Sequence, residues 1–222
     1  ILLPSGYALG IDSVAFAGAV APLLKRMQLL VAVRCGEMWP PQLARQLATL
    51  DHMLHGRLTV NIISSDLPGE ALDSAPRYAR TLEVMEILRT LLSGHHLSHK
   101  GEFYNLELDP PRIVRPHNRL PPFYFGGLSD HARDVAAKAA DVFLMWPDRI
   151  ENIRTVLDDI LISATSHGRL LRFGFLVHVL LREPFCEARA SSRRRLSTRL
   201  LSGGSEYRHH LRHAHSLDFS RL

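Results

Sequence analysis

Six short apolar runs, all but the last followed by a segment of helical periodicity, leave few folds open to this chain. The runs are residues 1–3, 29–33, 58–63, 123–125, 142–146 and 172–181, and each gives way to a small or polar turn. Strands that alternate with helices join through right-handed crossovers into a parallel sheet. An open doubly wound sheet and a closed (β/α)8 barrel both satisfy the alternation. The barrel fits better, because the first unit lacks the GxGxxG turn of a dinucleotide fold. A complete TIM barrel has eight strands in about 250 residues. Six strands in 222 residues predict an α/β barrel lacking its first and last strands.

The segments between the runs carry helix signals. Asp12 or Ser13 can cap a helix over 14–25, and Pro40-Pro41 opens one to about Leu54, with Leu43, Leu47, Leu50 and Leu54 at helical spacing. A helix over 76–92 turns Leu82, Met85, Leu88, Leu91 and Leu92 inward, and Gly94 follows its end. Further helices are predicted over 129–139 and 149–167, and an accessory strand over 103–108 before Pro110-Pro111.

With 46% hydrophobic and 22% charged residues, the composition is that of a soluble globular protein. No apolar run reaches the roughly 18 residues of a membrane span. Cys35 and Cys186 are too far apart in sequence and context to imply a disulfide framework or a zinc site, so a reducing cytoplasm is the expected home. Residues 184–222 hold eight arginines against Glu187, Glu206 and Asp218, and so carry the whole net charge of +5. The basic pI belongs to that segment, and no nucleic-acid partner is implied for the rest. The start at Ile1, already inside a strand-like run, predicts that native residues precede it.

Polar residues at the carboxyl ends of buried parallel strands are where such folds place ligand chemistry. The run 58–63 carries Asn61 within it and ends in Ser64-Ser65-Asp66. Asn61 is either turned to a ligand or satisfied structurally. Gly126-Gly127-Leu128-Ser129-Asp130 opens a helix directly after a strand, which suits a phosphate or a plain Ser-capped turn. Arg77-Tyr78, one helix turn after the Asn61 loop, either holds a phosphate from the other side or leaves Arg77 paired with Glu70 or Asp73. His178 shares a strand face with Leu176 and Leu180, as a proton carrier or a structural histidine. The histidines at 95, 96 and 99, and those at 209, 210, 213 and 215, lack Cys or carboxylates at ligand spacing, so no metal is expected.

Together these stretches resemble the bacterial luciferase-like flavin monooxygenases, in particular the alkanesulfonate monooxygenase branch. The resemblance rests on LLPSG (2–6), LLVAVR (29–34), LARQLATLD (43–51), GRLTVNIISSD (56–66) and RY (77–78). It continues through GEFYNLE (101–107), PPFYFGGLSD (121–130), DVFLMW (141–146) and HGRLLRFGFLVHVLLRE (167–183). It implies a (β/α)8 barrel binding reduced FMN, supplied by a separate NAD(P)H:FMN reductase, with which O2 oxidises a small organic substrate such as a sulfonate. It also implies a homo-oligomer. Asn61 and Ser65 would lie along the isoalloxazine, Arg77, Tyr78, Gly127, Leu128 and Ser129 would hold the flavin phosphate, and His178 would be the active-site histidine.

The departures shape the remaining expectations. Leu176 stands where the sulfonate enzymes carry an arginine, and the cysteine of their early turn is replaced around Leu9-Gly10. Residues 1–183 are read as a partial barrel. Residues 184–222 are read as a basic Arg/Ser/His-rich segment, out of frame, degraded, or an arm for an acidic partner. Two alternatives accompany the monooxygenase reading. One is a non-catalytic remnant that pairs with another subunit; the other is a barrel of the same family using a deazaflavin for hydride transfer.

Overall fold

The computed structural model describes residues 1–114 and 120–177. By internal contacts the chain divides into one unit of Ile1–Phe143 with Ile160–Phe173, and a second of Leu144–Asp159 with the residues from Gly174 on.

The elements run β1 (Leu2–Leu3), α1 (Ser13–Val20), β2 (Leu29–Arg34), α2 (Pro40–Met53), β3 (Leu58–Ile63) and α3 (Ser74–Leu92). They continue through β4 (Leu97–Lys100), β5 (Asn105–Leu108), β6 (Phe123–Phe125), α4 (Asp130–Ala139), β7 (Val142–Met145), α5 (Ile150–Ser166) and β8 (Arg172–Phe175). The main sheet has the order β1-β2-β3-β6-β7-β8. Every pair with a described register is parallel, as short crossover helices require. The sheet of an incomplete α/β barrel is the result, as the alternation predicts.

Register divides the larger unit into two faces. Val31, Val60 and Phe123 align across β2, β3 and β6, and so do Val33, Ile62, Phe125 and Phe143. All of these are buried, on the face packed by helices. Burying a Phe side chain contributes about 1.5–3 kcal/mol, so the row Phe123, Phe125 and Phe143 is a large share of this core. The opposite face carries Leu30, Arg34, Asn61, Ile63 and Tyr124, each only half-buried. The most complete burial thus lies between sheet and helices, and the other face keeps room for a ligand.

Local chemistry sets the boundaries. The Asp12 side chain accepts from Ala15 N at 2.7 Å and caps α1. That helix stops at Val20 rather than Lys25, because Pro22 falls in a 3₁₀ turn over Ala21–Leu23. Leu82 is half-buried rather than inward, while Val84 and Ile87 join Met85, Leu88 and Leu91 in the core. The accessory strand is half of an antiparallel hairpin, β4 with β5. Glu83 of α3 clamps that hairpin by accepting from the backbone N–H groups of Glu102, Phe103 and Tyr104 and facing His99 Nε2 at 3.2 Å. A Cβ on Gly101 would lie 2.1 Å from a Glu83 oxygen, so the clamp requires glycine there.

In the second unit Leu176 N donates to Met145 O at 2.8 Å, beyond the last residue of β8. No described helix is long and apolar enough to cross a membrane.

Candidate flavin site at the strand carboxyl ends

The turn after β6 brings a hydroxyl, a phenol and a glycine together at the start of α4. Ser129 caps α4, its Oγ accepting from Ala132 N at 3.2 Å, which leaves the first-turn N–H groups facing outward. The Ser129 hydroxyl donates to Tyr78 Oη at 3.4 Å. Gly127 lies between them with φ of 154°, and a Cβ there would come within 2.6 Å of Ala132 Cβ and 3.7 Å of Tyr78 Oη. A hydroxyl, a phenol, a helix amino end and a glycine cradle fit a phosphate. Of the residues expected at the flavin phosphate, the fold brings Tyr78, Gly127 and Ser129 together, and Leu128 beside them is exposed.

Tyr78 is fixed by its ring, which stands edge-on to Phe125 at 6.3 Å and lies 6.1 Å from that of His131. Arg77 is placed otherwise. Its guanidinium pairs with Asp66, lies 5.8 Å from the Tyr78 ring centre and reaches Leu72 O at 3.4 Å. Neither Glu70 nor Asp73 is its partner. Glu70 takes Arg80 through two bonds of 2.6 and 2.7 Å, and this guanidinium holds the Glu70 carboxyl below the usual carboxylate range. Arg77 thus pins the β3–α3 loop and reaches a phosphate only by sharing its charge with Asp66.

Asn61 sits on the half-open face, in register with Ala32 and Tyr124. It is half-buried, and among the described residues its amide makes no side-chain hydrogen bond. Ser65 is held by Arg34, whose Nη1 donates to its Oγ at 2.7 Å. His178 lies outside the described residues.

Arg34 is the residue that sequence reasoning passed over as the close of a strand. Besides Ser65, its Nη1 donates to Asp66 O at 3.1 Å and its Nη2 to Ser5 O at 3.3 Å, tying together the loops after β1 and β3. Its position at the carboxyl end of a predicted parallel strand was the available signal. The neighbouring Cys35 is buried, and that burial pushes its thiol up to about 12 against the opposing influence of Thr81 and Arg80. It is an inert core thiol.

A family model described as luciferase-like monooxygenase matches residues 2–220. The chain belongs to this family. The match runs beyond Glu183, where the resemblance legible in the residues ends. A sulfoquinovose monooxygenase of Novosphingobium aromaticivorans is 57% identical over a 204-residue alignment, and the match covers 89% of this chain and 56% of that protein. A sulfoquinovose monooxygenase of Agrobacterium fabrum is 44% identical over 191 residues, 85% of this chain and 50% of the relative. The chain therefore spans about half the length of the curated relatives it matches.

Solved structures share the fold at low identity. EDTA monooxygenase from Chelativorans sp. BNC1 superposes with a TM-score of 0.72 at 17% identity, over 89% of this chain and 56% of that one. The oxygenating constituent of 3,6-diketocamphane monooxygenase from Pseudomonas putida, solved with FMN, gives 0.67 at 13% identity over 82% and 57%. The coenzyme F420-dependent tetrahydromethanopterin reductase of Methanopyrus kandleri gives 0.72 at 16% over 88% and 62%.

Proposed function

We propose that this chain forms part of an FMN-dependent monooxygenase that oxidises a small organosulfonate with O2, sulfoquinovose being the first substrate to try. The observation that carries the reading is the 57% identity to a sulfoquinovose monooxygenase. The chain's own residues support the cofactor half of it. Tyr78, Gly127 and Ser129 would hold the flavin phosphate, and the half-open face at Asn61 leaves room for the ring system. When bound, reduced flavin supplies the electrons for O2. The reading includes a separate NAD(P)H:FMN reductase, a homo-oligomer and a cytoplasmic location. Asn61 and Ser65 then border the isoalloxazine, Arg77 backs the phosphate through Tyr78, and His178 carries a proton.

The deciding experiment is an anaerobic titration of the full-length protein with reduced FMN and, in parallel, a reduced deazaflavin. Oxygenation of the loaded enzyme in the presence of sulfoquinovose follows, with sulfite as the readout. Saturable FMN binding with sulfite release supports the proposal. Preference for the deazaflavin without sulfite would move the protein to the hydride-transfer branch of the fold.

A further inference from the structure

The cradle formed by Tyr78, Gly127 and Ser129 is short of positive charge. A phosphate monoester carries about −1.5 to −2 charges at neutral pH, whereas a phenol, a hydroxyl and a glycine carry none. Two guanidinium groups stand nearby, and each already has a carboxylate. Arg77, 5.8 Å from the Tyr78 ring centre, pairs with Asp66. Arg133, one turn into α4, pairs with Asp130 at 2.5 Å. Each pair is locally neutral, so neither brings a net charge to the cradle.

His131 is differently placed. It is the second residue of α4, two beyond the Ser129 cap, and its side chain is exposed. Its ring centre lies 6.1 Å from that of Tyr78 at a tilt of 31°, so the imidazole stands beside the ring whose hydroxyl meets Ser129. Among the described residues no carboxylate pairs with it. The other titratable and charged groups around it in the larger unit are Tyr78 and Arg77 with Asp66 from the α3 side, and Asp130, Arg133 and Asp134 on α4. Asp134 takes Lys138 at 2.7 Å, so the full charges pair off and leave the imidazole beside a phenol. An imidazolium in the first turn of a helix is opposed by the N–H dipoles there. An anion held at that turn reverses the local field, so charging the ring and binding a phosphate favour one another.

We propose that His131 is a further phosphate-binding residue of the flavin site, and that its charged form makes flavin uptake tighter on the acid side of neutrality. The proposed flavin reading supplies the identity of the phosphate. A charged imidazole donates to a phosphate oxygen the strong, charge-assisted bond that the neutral cradle lacks. Imidazole is the side chain that ordinarily charges between pH 5 and 8, and a phosphate beside it favours the charged form. The contribution is therefore present in full at acid pH and lost as the imidazole of the complex gives up its proton.

The test is anaerobic titration of the full-length protein and its H131Q and H131R variants with reduced FMN and reduced riboflavin, at about pH 6 and about pH 8.5. Comparing the FMN-to-riboflavin affinity ratio of each variant with that of wild type cancels the titration of the flavin itself. H131Q should lose about three- to tenfold of that ratio at the lower pH and almost nothing at the higher. H131R, whose charge does not titrate, should match wild type at the lower pH and exceed it at the higher. Equal FMN affinity of wild type and H131Q at both pH values overturns the inference and leaves the flavin reading standing. So does a loss in H131Q that riboflavin shares, the sign of a ring that only packs against Tyr78. If wild type takes up no reduced FMN, the imidazole proton resonance that H131Q removes is followed on addition of inorganic phosphate at about pH 6. Its movement keeps the imidazole–phosphate contact and removes the flavin reading, and its indifference overturns both.

Discussion

The two ends of the parallel strands in the larger unit are built on different terms. At the amino ends, polar groups are bonded nearly to capacity. Asp141 accepts from Phe123 N at 2.8 Å, meets Arg89 Nη2 at 3.2 Å and lies 3.6 Å from Arg169. Arg57 donates to Leu54 O, Met27 O and Leu24 O. Among the described residues, Arg169 Nε is the buried polar atom left over there. At the carboxyl ends, Arg34, Arg77 and Arg80 each leave a buried Nε without a partner, as does the hydroxyl of Ser64. Unmet hydrogen bonds cost stability. The amino ends tie the sheet together through bonded side chains, and among the described residues the carboxyl ends carry more of the buried polar atoms that no protein group completes.

The strongest challenge to this contrast is Asp141→Ala, which strips three partners at once. It should lower unfolding free energy by about 2–4 kcal/mol in urea denaturation, with unchanged reduced-FMN affinity per folded molecule. A loss of flavin affinity without a loss of stability would break the contrast.

The converse at the carboxyl end is Gly127→Ala. The new Cβ meets Ala132 inside the cradle, so reduced-FMN binding should weaken more than about tenfold, or 1.4 kcal/mol, in anaerobic titration. Milder effects follow for Tyr78→Phe and Ser129→Ala, each about three- to tenfold on flavin affinity. Ser129→Ala also costs about 1 kcal/mol of stability as a lost helix cap, whereas Tyr78→Phe leaves the melting curve nearly unmoved.

The smallest effects belong to the hairpin beside these two regions and sharpen the contrast by pH. Burial raises the Glu83 pKa, but the bonds from His99 and three backbone N–H groups prevail and hold it below its usual value. A carboxylate depressed in the folded state stabilises above its unfolded pKa of about 4.3 and loses that contribution as pH falls through the folded value. Urea unfolding of wild type against Glu83→Gln should therefore differ most at pH 6 and draw together as pH falls through the folded value of Glu83. His96 runs the other way. Hydrogen bonds to Glu107 and Asp109 raise its pKa, so its contribution is present below about 6.5 and fades as pH rises through the folded value. Being an exposed side chain, it should shift hairpin amide-exchange rates between pH 6 and 8 while hardly moving the global transition. Those two carboxylates reach His96 only through the hairpin pairing, which is why sequence spacing did not show them.

The alternation of strands and helices, the end of the strand at Ile63, the strand over 123–125 and the Ser129 cap were all legible in the sequence. Each depends on residues within a turn or two, through backbone propensity, periodicity and a side chain reaching three residues along. The meeting of Tyr78 with Gly127 and Ser129 was legible in the residues only as one of two readings for each segment, since the parts lie 51 residues apart. Tertiary structure alone decided the partners of the arginines. From sequence, Arg77 had Glu70 and Asp73 within easy reach, yet it takes Asp66, because the bidentate Arg80 claims Glu70. Arg34 joins Ser5 and Ser65, 29 and 31 residues away. Parallel register brings the loops after β1 and β3 to either side of β2, and that alignment exists only once the sheet has formed.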